Sequence, residues 1–136
     1  MQYKVFCYYR PFLAIIKNNK IVEVKTTNKK CEISLDKLLE MYEPNLYYPY
    51  NLLYEYMKEK RLYFYKELAN LLKMHPRKIG LILKKNPLPI IIPCHRVIKS
   101  NYNIGGYKFG IELKKYLLIQ EKLCSEIKNG YCKPKA

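Results

Sequence analysis

Short runs of apolar residues in the first quarter of the chain have the composition of β-strands. Residues 3–8 and 12–16 are rich in aromatic and β-branched side chains, and a third run follows at 21–24. The pair Asn18-Asn19 lies between the second and third runs and suits a tight turn. This region is therefore predicted to contain a β-hairpin.

A helical pattern replaces the strand pattern after Ser34. This serine is a good N-cap, and apolar residues follow it at helical spacing, namely Leu35, Leu38, Leu39 and Tyr42. The prolines between positions 44 and 49 end the helix, and we place a boundary between two lobes there. Residues 1–48 are expected to form a small structural lobe with a short antiparallel sheet and a helix.

The second predicted lobe, residues 49–136, is helical in pattern. Helices are expected over residues 51–59 and 65–73, and another begins at Pro76, because proline is favoured at the first position of a helix. That helix is expected to stop before the Asn-Pro pair at positions 86–87. Two short helices joined by a tight turn are typical of a helix-turn-helix.

The end of the chain is predicted to contain one more helix. A polar, glycine-containing loop over residues 99–110 precedes it, and the helix is expected to run from Ile111 to about Ile127. Residues 130–136 are predicted to be a frayed basic tail. Together these elements predict an α+β fold.

The charge of the chain indicates a polyanionic partner. The 136 residues contain 26 Lys+Arg and 11 Asp+Glu, a net charge of +15. A lysine-rich solvated surface would explain this excess, but a nucleic acid explains it better, and the predicted helix-turn-helix favours DNA. An RNA-binding protein stays open as an alternative, which a preference for duplex DNA over RNA would exclude.

Other classes of protein are disfavoured by composition. No apolar run approaches the roughly 20 residues of a membrane-spanning helix, and the N-terminus lacks the apolar stretch of a signal peptide. We therefore expect a cytoplasmic protein whose five cysteines are mostly reduced, while a Cys7–Cys31 pair stays open. No CxxC pair occurs and only two histidines are present, so no metal site is expected.

The residues with the clearest chemical potential are Cys94 and His95, within the segment Pro-Cys-His-Arg-Val at 93–97. A thiol is a good nucleophile as the thiolate, and a nearby histidine can take its proton. The alternative is a buried cysteine that acts as a small hydrophobic residue. Adjacent residues of an extended strand point to opposite faces, so either the chain turns at Cys94 or a water carries the proton.

A partner for the second ring nitrogen of His95 is also visible. Glu121 shares one helical face with Lys114, Leu117 and Leu118. A carboxylate on such a face is either paired or at its edge, so Glu121 could orient the imidazole. The alternative is an ordinary surface glutamate.

Several segments together resemble the O6-alkylguanine-DNA alkyltransferases. The resemblance covers roughly residues 51–121, and the spacing from Asn86 to Glu121 fits the family pattern without a gap. The matching segments are Tyr-Lys-Glu-Leu-Ala at 65–69, Arg77 with Gly80, the run 86–97, Gly105-Gly106-Tyr107 and Leu-Leu-Ile-Gln-Glu at 117–121.

The resemblance implies that the protein accepts the alkyl group itself. Cys94 would be the acceptor, and His95 would deprotonate it through a bound water while Glu121 orients His95. Asn86 would stabilise the turn that links the recognition helix to the site. Tyr65 would assist base flipping and donate towards the leaving guanine.

The resemblance also implies how DNA is held. The second helix of the helix-turn-helix would enter the minor groove, and Arg77 would fill the gap left by the flipped base. Further DNA contacts are expected from Tyr65, Lys78, Lys84 and Arg96. The substrate pocket is expected to be formed by Tyr107, Val97, Leu83 and Lys108.

The implied reaction is irreversible repair of duplex DNA that contains O6-alkylguanine, with one turnover for each protein molecule. No cofactor is expected, because the nucleophile is the acceptor, and the protein is expected to act as a monomer. The alternative is a non-catalytic helix-turn-helix protein that recognises alkylated bases.

Two residues depart from the family pattern. Phe64 stands where a serine or threonine usually caps the helix that starts at Tyr65, so this helix is expected to lack a side-chain cap. Lys108 stands where some relatives have a serine that contacts the guanine oxygen.

Overall fold

A five-stranded sheet forms the N-terminal part of the computed structural model, which describes residues 1–135. Asn18 and Asn19 both have positive φ and turn the chain between the second and third strands, which confirms the predicted hairpin. Three strands are antiparallel, β1 (Gln2–Cys7), β2 (Pro11–Lys17) and β3 (Lys20–Thr26). Two short strands pair in parallel at the edges, β4 (Ile33–Ser34) beside β1 and β5 (Glu43–Pro44) beside β3.

Five α-helices occur within residues 1–135, and together with the sheet they confirm the α+β class. Ser34 caps the first of them, because its hydroxyl accepts a hydrogen bond from the backbone N–H of Lys37 at 3.1 Å. The helices are α1 (Leu35–Met41), α2 (Tyr50–Tyr56), α3 (Tyr65–Leu72), α4 (Pro76–Lys84) and α5 (Ile111–Gln120). Two further short strands, β6 (Tyr63–Phe64) and β7 (Val97–Ile98), pair in parallel.

One hydrophobic core extends across the predicted boundary between the lobes. It includes Phe6 and Phe12 from the sheet and Leu53, Leu68 and Leu117 from the helices. The backbone N–H of Val24 in β3 donates to the carbonyl of Pro87 at 2.9 Å. The sheet therefore supports the segment that leads from α4 to Cys94.

The end of the chain differs from the prediction, because α5 ends at Gln120 and a β-hairpin follows. Its strands are β8 (Cys124–Lys128) and β9 (Tyr131–Pro134), joined by Asn129-Gly130 with positive φ at both positions. Asn-Gly is a strong hairpin signal, and the helical reading overlooked it. The prediction that the helix runs to Ile127 is wrong, and so is the prediction of a frayed tail over residues 130–135. Ala136, the last residue of the predicted tail, lies outside the described residues.

The hairpin is held by the burial of its two cysteines and by a backbone hydrogen bond. Cys124 and Cys132 are buried in a small apolar cluster with Ile98, Ile104 and Leu118. The backbone N–H of Cys132 donates to the carbonyl of Tyr102, at 2.8 Å. The cluster and this hydrogen bond attach the hairpin to the loop that follows β7.

Four of the five cysteines form disulfides, so the expectation of mostly reduced cysteines is wrong. The pairs are Cys7–Cys31 and Cys124–Cys132, each with 5.5 Å between Cα atoms. The expectation rested on the compartment alone. In the fold, Cys31 lies just before β4, which pairs with β1, while Cys124 and Cys132 lie on the paired strands β8 and β9. Cys94 is the single free thiol among residues 1–135.

No helix within the described residues combines the length and the apolar character that crossing a membrane would require.

Replacing Cys124 and Cys132 with serine should lower the free energy of unfolding by about 2 kcal/mol, because the unfolded chain loses its cross-link. Denaturant unfolding measures this loss, and Ser125→Ala on the exposed side of β8 is the control. An unchanged free energy, with rapid amide exchange over residues 124–134, would mean that this segment is the frayed tail that the pattern predicted.

Candidate active site and nucleic-acid groove

A cavity of about 640 Å³ opens between α3, α4 and the loop that follows β7, with Cys94 in its wall. Cationic side chains surround the opening, which suits an anionic ligand. The lining residues are Tyr65 and Lys66 of α3, Pro76, Arg77, Gly80, Leu83 and Lys84 of α4, Cys94, and Lys99, Ser100, Asn101, Gly106, Tyr107 and Lys108 of the loop.

A tight turn held by Asn86 carries the chain from α4 to Cys94. The fully buried Asn86 side chain donates to the carbonyl of Ile92 at 3.0 Å and accepts from the backbone N–H of Leu88 at 2.9 Å. Ile90, within this turn, has a φ of 78°. A β-branched residue in this conformation costs roughly 1–3 kcal/mol, so the surrounding contacts must impose it.

The chain turns at Cys94 itself, which is the first of the two possibilities that the sequence left open. Residues Cys94–Arg96 form one 3₁₀ turn, in which the backbone N–H of Arg96 donates to the carbonyl of Pro93 at 3.0 Å. The chain then enters β7, and Val97 pairs with Tyr63 of β6. This pairing connects the cysteine segment to the start of α3.

His95 and Glu121 are bonded to each other in the interior, as the sequence predicted. His95 Nε2 lies 2.7 Å from Glu121 Oε1, and both side chains are fully buried. Arg96 binds the same carboxylate with two nitrogens, Nε at 3.0 Å from Oε1 and Nη2 at 2.5 Å from Oε2. A buried carboxylate held this way is fully paired.

This pairing determines which nitrogen of His95 carries the proton. The bonds from His95 and Arg96 outweigh burial and hold the pKa of Glu121 well below its usual range, so the carboxylate is ionised and can only accept. Burial lowers the pKa of His95, so the imidazole is neutral near pH 7. Nε2 therefore carries the hydrogen, and Nδ1, which is buried and without a protein partner among residues 1–135, is free to act as a base.

The N-terminal lobe supplies a further hydrogen-bond partner of Glu121, which the sequence did not predict. Tyr8 follows β1, and its hydroxyl donates to Glu121 Oε2 while accepting from Arg96 Nη2 at 3.1 Å. Burial and the neighbouring carboxylate raise the pKa of Tyr8, so the phenol stays protonated. The N-terminal lobe therefore contributes a polar contact behind the site as well as structural support.

Two opposing effects act on the thiol of Cys94. Burial raises its pKa and is the larger effect, whereas the nearby Asn86 amide and the positive charges of Lys114 and Lys108 lower it. The net result is a thiol whose pKa lies above its usual value, so it needs a base to take its proton.

Lys114 is a buried lysine whose importance the sequence analysis did not recognise. Its ammonium donates to the carbonyls of Val97 at 2.7 Å and Gly106 at 3.0 Å, and burial lowers its pKa to about 8. It thereby ties α5 to both chain segments beside Cys94. Its helical spacing with Leu117 and Leu118 was the signal that could have identified it.

Tyr65 and Tyr107 line the cavity on opposite chain segments. Gly105 has a φ of 71°, and a Cβ there would lie 2.9 Å from the Tyr65 hydroxyl. Both the backbone conformation and the lack of space for a side chain therefore favour glycine at this position. The Tyr107 ring lies edge-on to His95, with centroids 6.2 Å apart. Its buried hydroxyl has no protein partner among the described residues.

Helix α3 begins without a side-chain cap, as expected from Phe64. Glu67 compensates, because its carboxylate accepts from the backbone N–H of Phe64 at 2.9 Å. Arg61 donates twice to the same carboxylate, at 3.1 and 3.0 Å, and fixes its orientation. Tyr65 is thus held at the first residue of the helix.

The turn of the predicted helix-turn-helix is also explained. Lys73 ends α3 in the left-handed conformation, and His75 caps α4, since its Nδ1 accepts from the backbone N–H of Arg77 at 3.1 Å. Pro76 occupies the first turn of α4, as predicted. Arg77 is consequently presented at the N-terminal end of α4, where it lines the cavity.

The residues predicted to contact DNA do not all share one surface. Arg77 and Lys84 line the cavity, and Lys78 is exposed on the same helix outside it. Arg96 is buried, and its Nε and Nη2 are engaged by Glu121 and Tyr8. The motif alone could not reveal this, because the burial of Arg96 depends on two partners distant in sequence.

The predicted pocket residues divide in the same way. Leu83, Tyr107 and Lys108 line the cavity, whereas the side chain of Val97 lies in the core and its carbonyl accepts from Lys114. Lys66 and Lys99 line the cavity and were not predicted. Among residues 1–135, no three His, Cys, Asp or Glu side chains cluster to hold a metal.

Glu121→Gln should destabilise the protein by about 3–5 kcal/mol at pH 7, because Arg96 is left as an uncompensated buried charge. The depressed pKa of Glu121 means that its contribution is present above the unfolded value of about 4.3 and is lost as the pH falls below it. The difference between wild type and variant should therefore narrow from pH 6 to pH 3, as measured by urea unfolding. Glu126→Gln on exposed β8 is the control, and a difference independent of pH would contradict the ion pair.

Comparison with known proteins agrees with this geometry. The family model described as 6-O-methylguanine DNA methyltransferase, DNA binding domain, matches residues 54–123. Methylated-DNA–protein-cysteine methyltransferases are 49% identical over 63 residues in Pyrobaculum aerophilum and 48% identical over 64 residues in Methanocaldococcus vulcanius. These matches cover 46% and 47% of this chain, and 43% and 39% of the relatives, so the chain matches less than half of each relative's length.

Solved structures give the same family and extend the fold. The O6-methylguanine-DNA methyltransferase of the hyperthermophilic archaeon Pyrococcus kodakaraensis strain KOD1 has a TM-score of 0.52 at 34% identity, covering 63% of this chain and 53% of that one. The Mycobacterium tuberculosis OGT, crystallised in complex with DNA, has a TM-score of 0.67 at 18% identity, covering 88% and 92%, and shows the shared fold. The family match spans more than half of the chain, which therefore belongs to the 6-O-methylguanine DNA methyltransferase family through its DNA binding domain.

Proposed function

We propose that this protein repairs O6-alkylguanine in duplex DNA by transferring the alkyl group irreversibly to Cys94. The observation that carries the proposal is the position of this thiol. It lies in the wall of a cation-lined cavity formed by a helix-turn-helix, and behind it His95 is held by Glu121 with Nδ1 free. This arrangement combines a nucleophile, a base and a DNA-binding element in one cavity.

The proposed chemical step needs no group beyond the protein and the damaged base. His95 takes the thiol proton at Nδ1 by way of a water molecule, and a sulfur electron pair forms the bond to the alkyl carbon. The bond from that carbon to O6 breaks, and its electron pair remains on guanine as an anion. The Tyr65 hydroxyl donates a hydrogen bond to this anion. The proton that left the thiol is now on His95, and its positive charge balances the negative charge of the guanine.

The target base must leave the helix to reach Cys94, because the alkyl carbon is inaccessible inside a stacked duplex. Arg77 lines the cavity at the N-terminal end of α4, where its long side chain could occupy the vacated place in the stack. Lys66, Lys84 and Lys99 surround the same opening and could hold the phosphates on either side. We propose that α4 enters the minor groove.

The reaction consumes the protein, because the thioether formed at Cys94 is not reversed by this chemistry. We further propose that one monomer suffices, since the nucleophile, base and DNA-binding helix belong to one chain. A cytoplasmic location is also proposed. Two disulfides are compatible with this location if the source is a hyperthermophile, because intracellular proteins of hyperthermophiles are often rich in disulfides.

A non-catalytic DNA-binding protein that recognises alkylated bases is the alternative. It would explain the helix-turn-helix and the charge, but it gives no reason to bury a histidine with an ionised carboxylate behind a free thiol. This arrangement favours catalysis, because it leaves Nδ1 of His95 as a free basic nitrogen behind the thiol, which simple DNA binding does not need.

Incubation with a duplex containing O6-methylguanine should add one methyl group to the protein, and the modified peptide should contain Cys94. Intact-mass and peptide analysis measure this. Cys94→Ser should bind the duplex with similar affinity and gain no mass, because affinity rests on phosphate and groove contacts. A methyl group on another residue, or no gain in mass with wild type, would refute the proposed function.

Arg77→Ala should slow single-turnover repair of duplex DNA by about ten-fold or more at saturating DNA, because unstacking costs a few kcal/mol and about 1.4 kcal/mol corresponds to a factor of ten. Reaction with free O6-benzylguanine, which needs no flipping, should change little. Lys78→Ala removes a neighbouring exposed charge and should be rescued by saturating DNA. The insertion role would be excluded if Arg77→Ala were rescued in the same way.

A further inference from the structure

The cavity beside Cys94 contains an ammonium group at a position where some relatives have a serine. Lys108 lines this cavity, and its Nζ donates to the backbone carbonyl of Asn86 at 2.7 Å. The stem of Lys108 is exposed at the rim, so this bond determines where its charge lies. The charge is therefore anchored on the residue that forms the turn leading to Cys94.

The surroundings of Lys108 keep its anchor in place. Asn86 is fully buried, and its side chain is committed to the backbone of Leu88 and Ile92. On the other side, Tyr107 precedes Lys108 and its ring packs against His95 and Phe109. The segments that carry Asn86 and Lys108 are thus both restrained by their own contacts.

The charged and titratable groups around the thiol come from every element that packs against it. Cations and phenols dominate, and the carboxylate of Glu121 is already neutralised by Arg96. The groups are Lys114 from α5, Lys108, Tyr107, His95, Tyr65 from α3 and Tyr50 from α2. Lys114 and Lys108 are the ammonium groups whose charges act on the thiol, and of these two it is Lys108 that lines the cavity.

We propose that Lys108 activates Cys94 by stabilising its thiolate with a cation that is fixed on the carbonyl of Asn86. The proposal rests on Cys94 being the nucleophile of the proposed alkyl transfer. When the thiol proton moves to His95, the sulfur becomes an anion in a poorly solvated place, where a nearby fixed cation is effective. The field of Lys108 also acts on Cys94 in the direction of the thiolate.

Two other possible roles of Lys108 predict different effects of substitution. As a phosphate contact it would affect DNA binding alone, and as a mechanical tie it would need a hydrogen-bond donor to the Asn86 carbonyl but no charge. Lys108→Gln retains a donor and loses the charge, whereas Lys108→Arg retains both. Lys115→Gln is the control for net charge, because Lys115 pairs with Glu112 on the surface of α5, outside the cavity lining.

The first experiment measures the reaction of Cys94 with iodoacetamide against pH, without DNA and without reductant, by intact mass. Cys94 is the only free thiol among residues 1–135, so one adduct reports its thiolate. Lys108→Gln should react about five-fold more slowly near pH 7, and the deficit should disappear at alkaline pH, because loss of a cation raises the thiol pKa. Lys108→Arg and Lys115→Gln should follow the wild-type profile.

The second experiment measures single-turnover methyl transfer by the same variants from a saturating O6-methylguanine duplex. Lys108→Gln is expected to transfer the methyl group more slowly than wild type near pH 7 and at the wild-type rate at alkaline pH. Lys108→Arg and Lys115→Gln are expected to match wild type throughout. The proposal is overturned if Lys108→Gln matches wild type with iodoacetamide, if its deficit persists at alkaline pH, or if Lys108→Arg fails to rescue it. If the iodoacetamide profile depends on Lys108 but wild type transfers no methyl group, the proposed function fails and the role of Lys108 stands.

Discussion

The interaction on which the site depends is the enclosure of the Glu121 carboxylate. An ionised carboxylate can be buried only if its oxygens are hydrogen-bonded and its charge is matched. Here Arg96 supplies the charge, and His95 and Tyr8 supply further donors. These partners come from the end of β1 and from the 3₁₀ turn at Cys94, so the carboxylate connects three parts of the chain that are far apart in sequence.

That enclosure has a chemical consequence at the other side of the imidazole. Because Glu121 is kept ionised, it fixes the hydrogen of His95 on Nε2 and leaves Nδ1 as the basic nitrogen. The same bonds hold the imidazole ring next to Tyr107. Stability and reactivity therefore arise from one set of contacts, and the N-terminal sheet takes part in both through Tyr8.

A second constraint is the path of the chain between α4 and Cys94. Helix α4 and the thiol of Cys94 lie on one cavity, and the connection between them is a turn in which Ile90 has a strained, positive φ. The side chain of Asn86 and the contact of Pro87 with β3 maintain it. Lys114 closes the opposite side by joining α5 to Val97 and Gly106.

The sequence by itself determined the local elements and the reactive segment. Strand composition, the Ser34 cap and Pro76 predicted the hairpin and the helix starts, because these signals act over a few residues. The spacing from Asn86 to Glu121 likewise predicted the family. The long final helix was wrong because the Asn129-Gly130 turn was overlooked, although that signal is also local.

Only the tertiary structure decided which charged residues stay exposed and which are buried. Arg96 resembles a basic DNA contact in the sequence, yet Glu121 and Tyr8 draw it inward. Lys114 is likewise buried, because the carbonyls of Val97 and Gly106, on another segment of the chain, accept hydrogen bonds from its ammonium. Periodicity and composition describe neighbours along the chain, whereas the burial of a charge depends on partners that folding alone brings together.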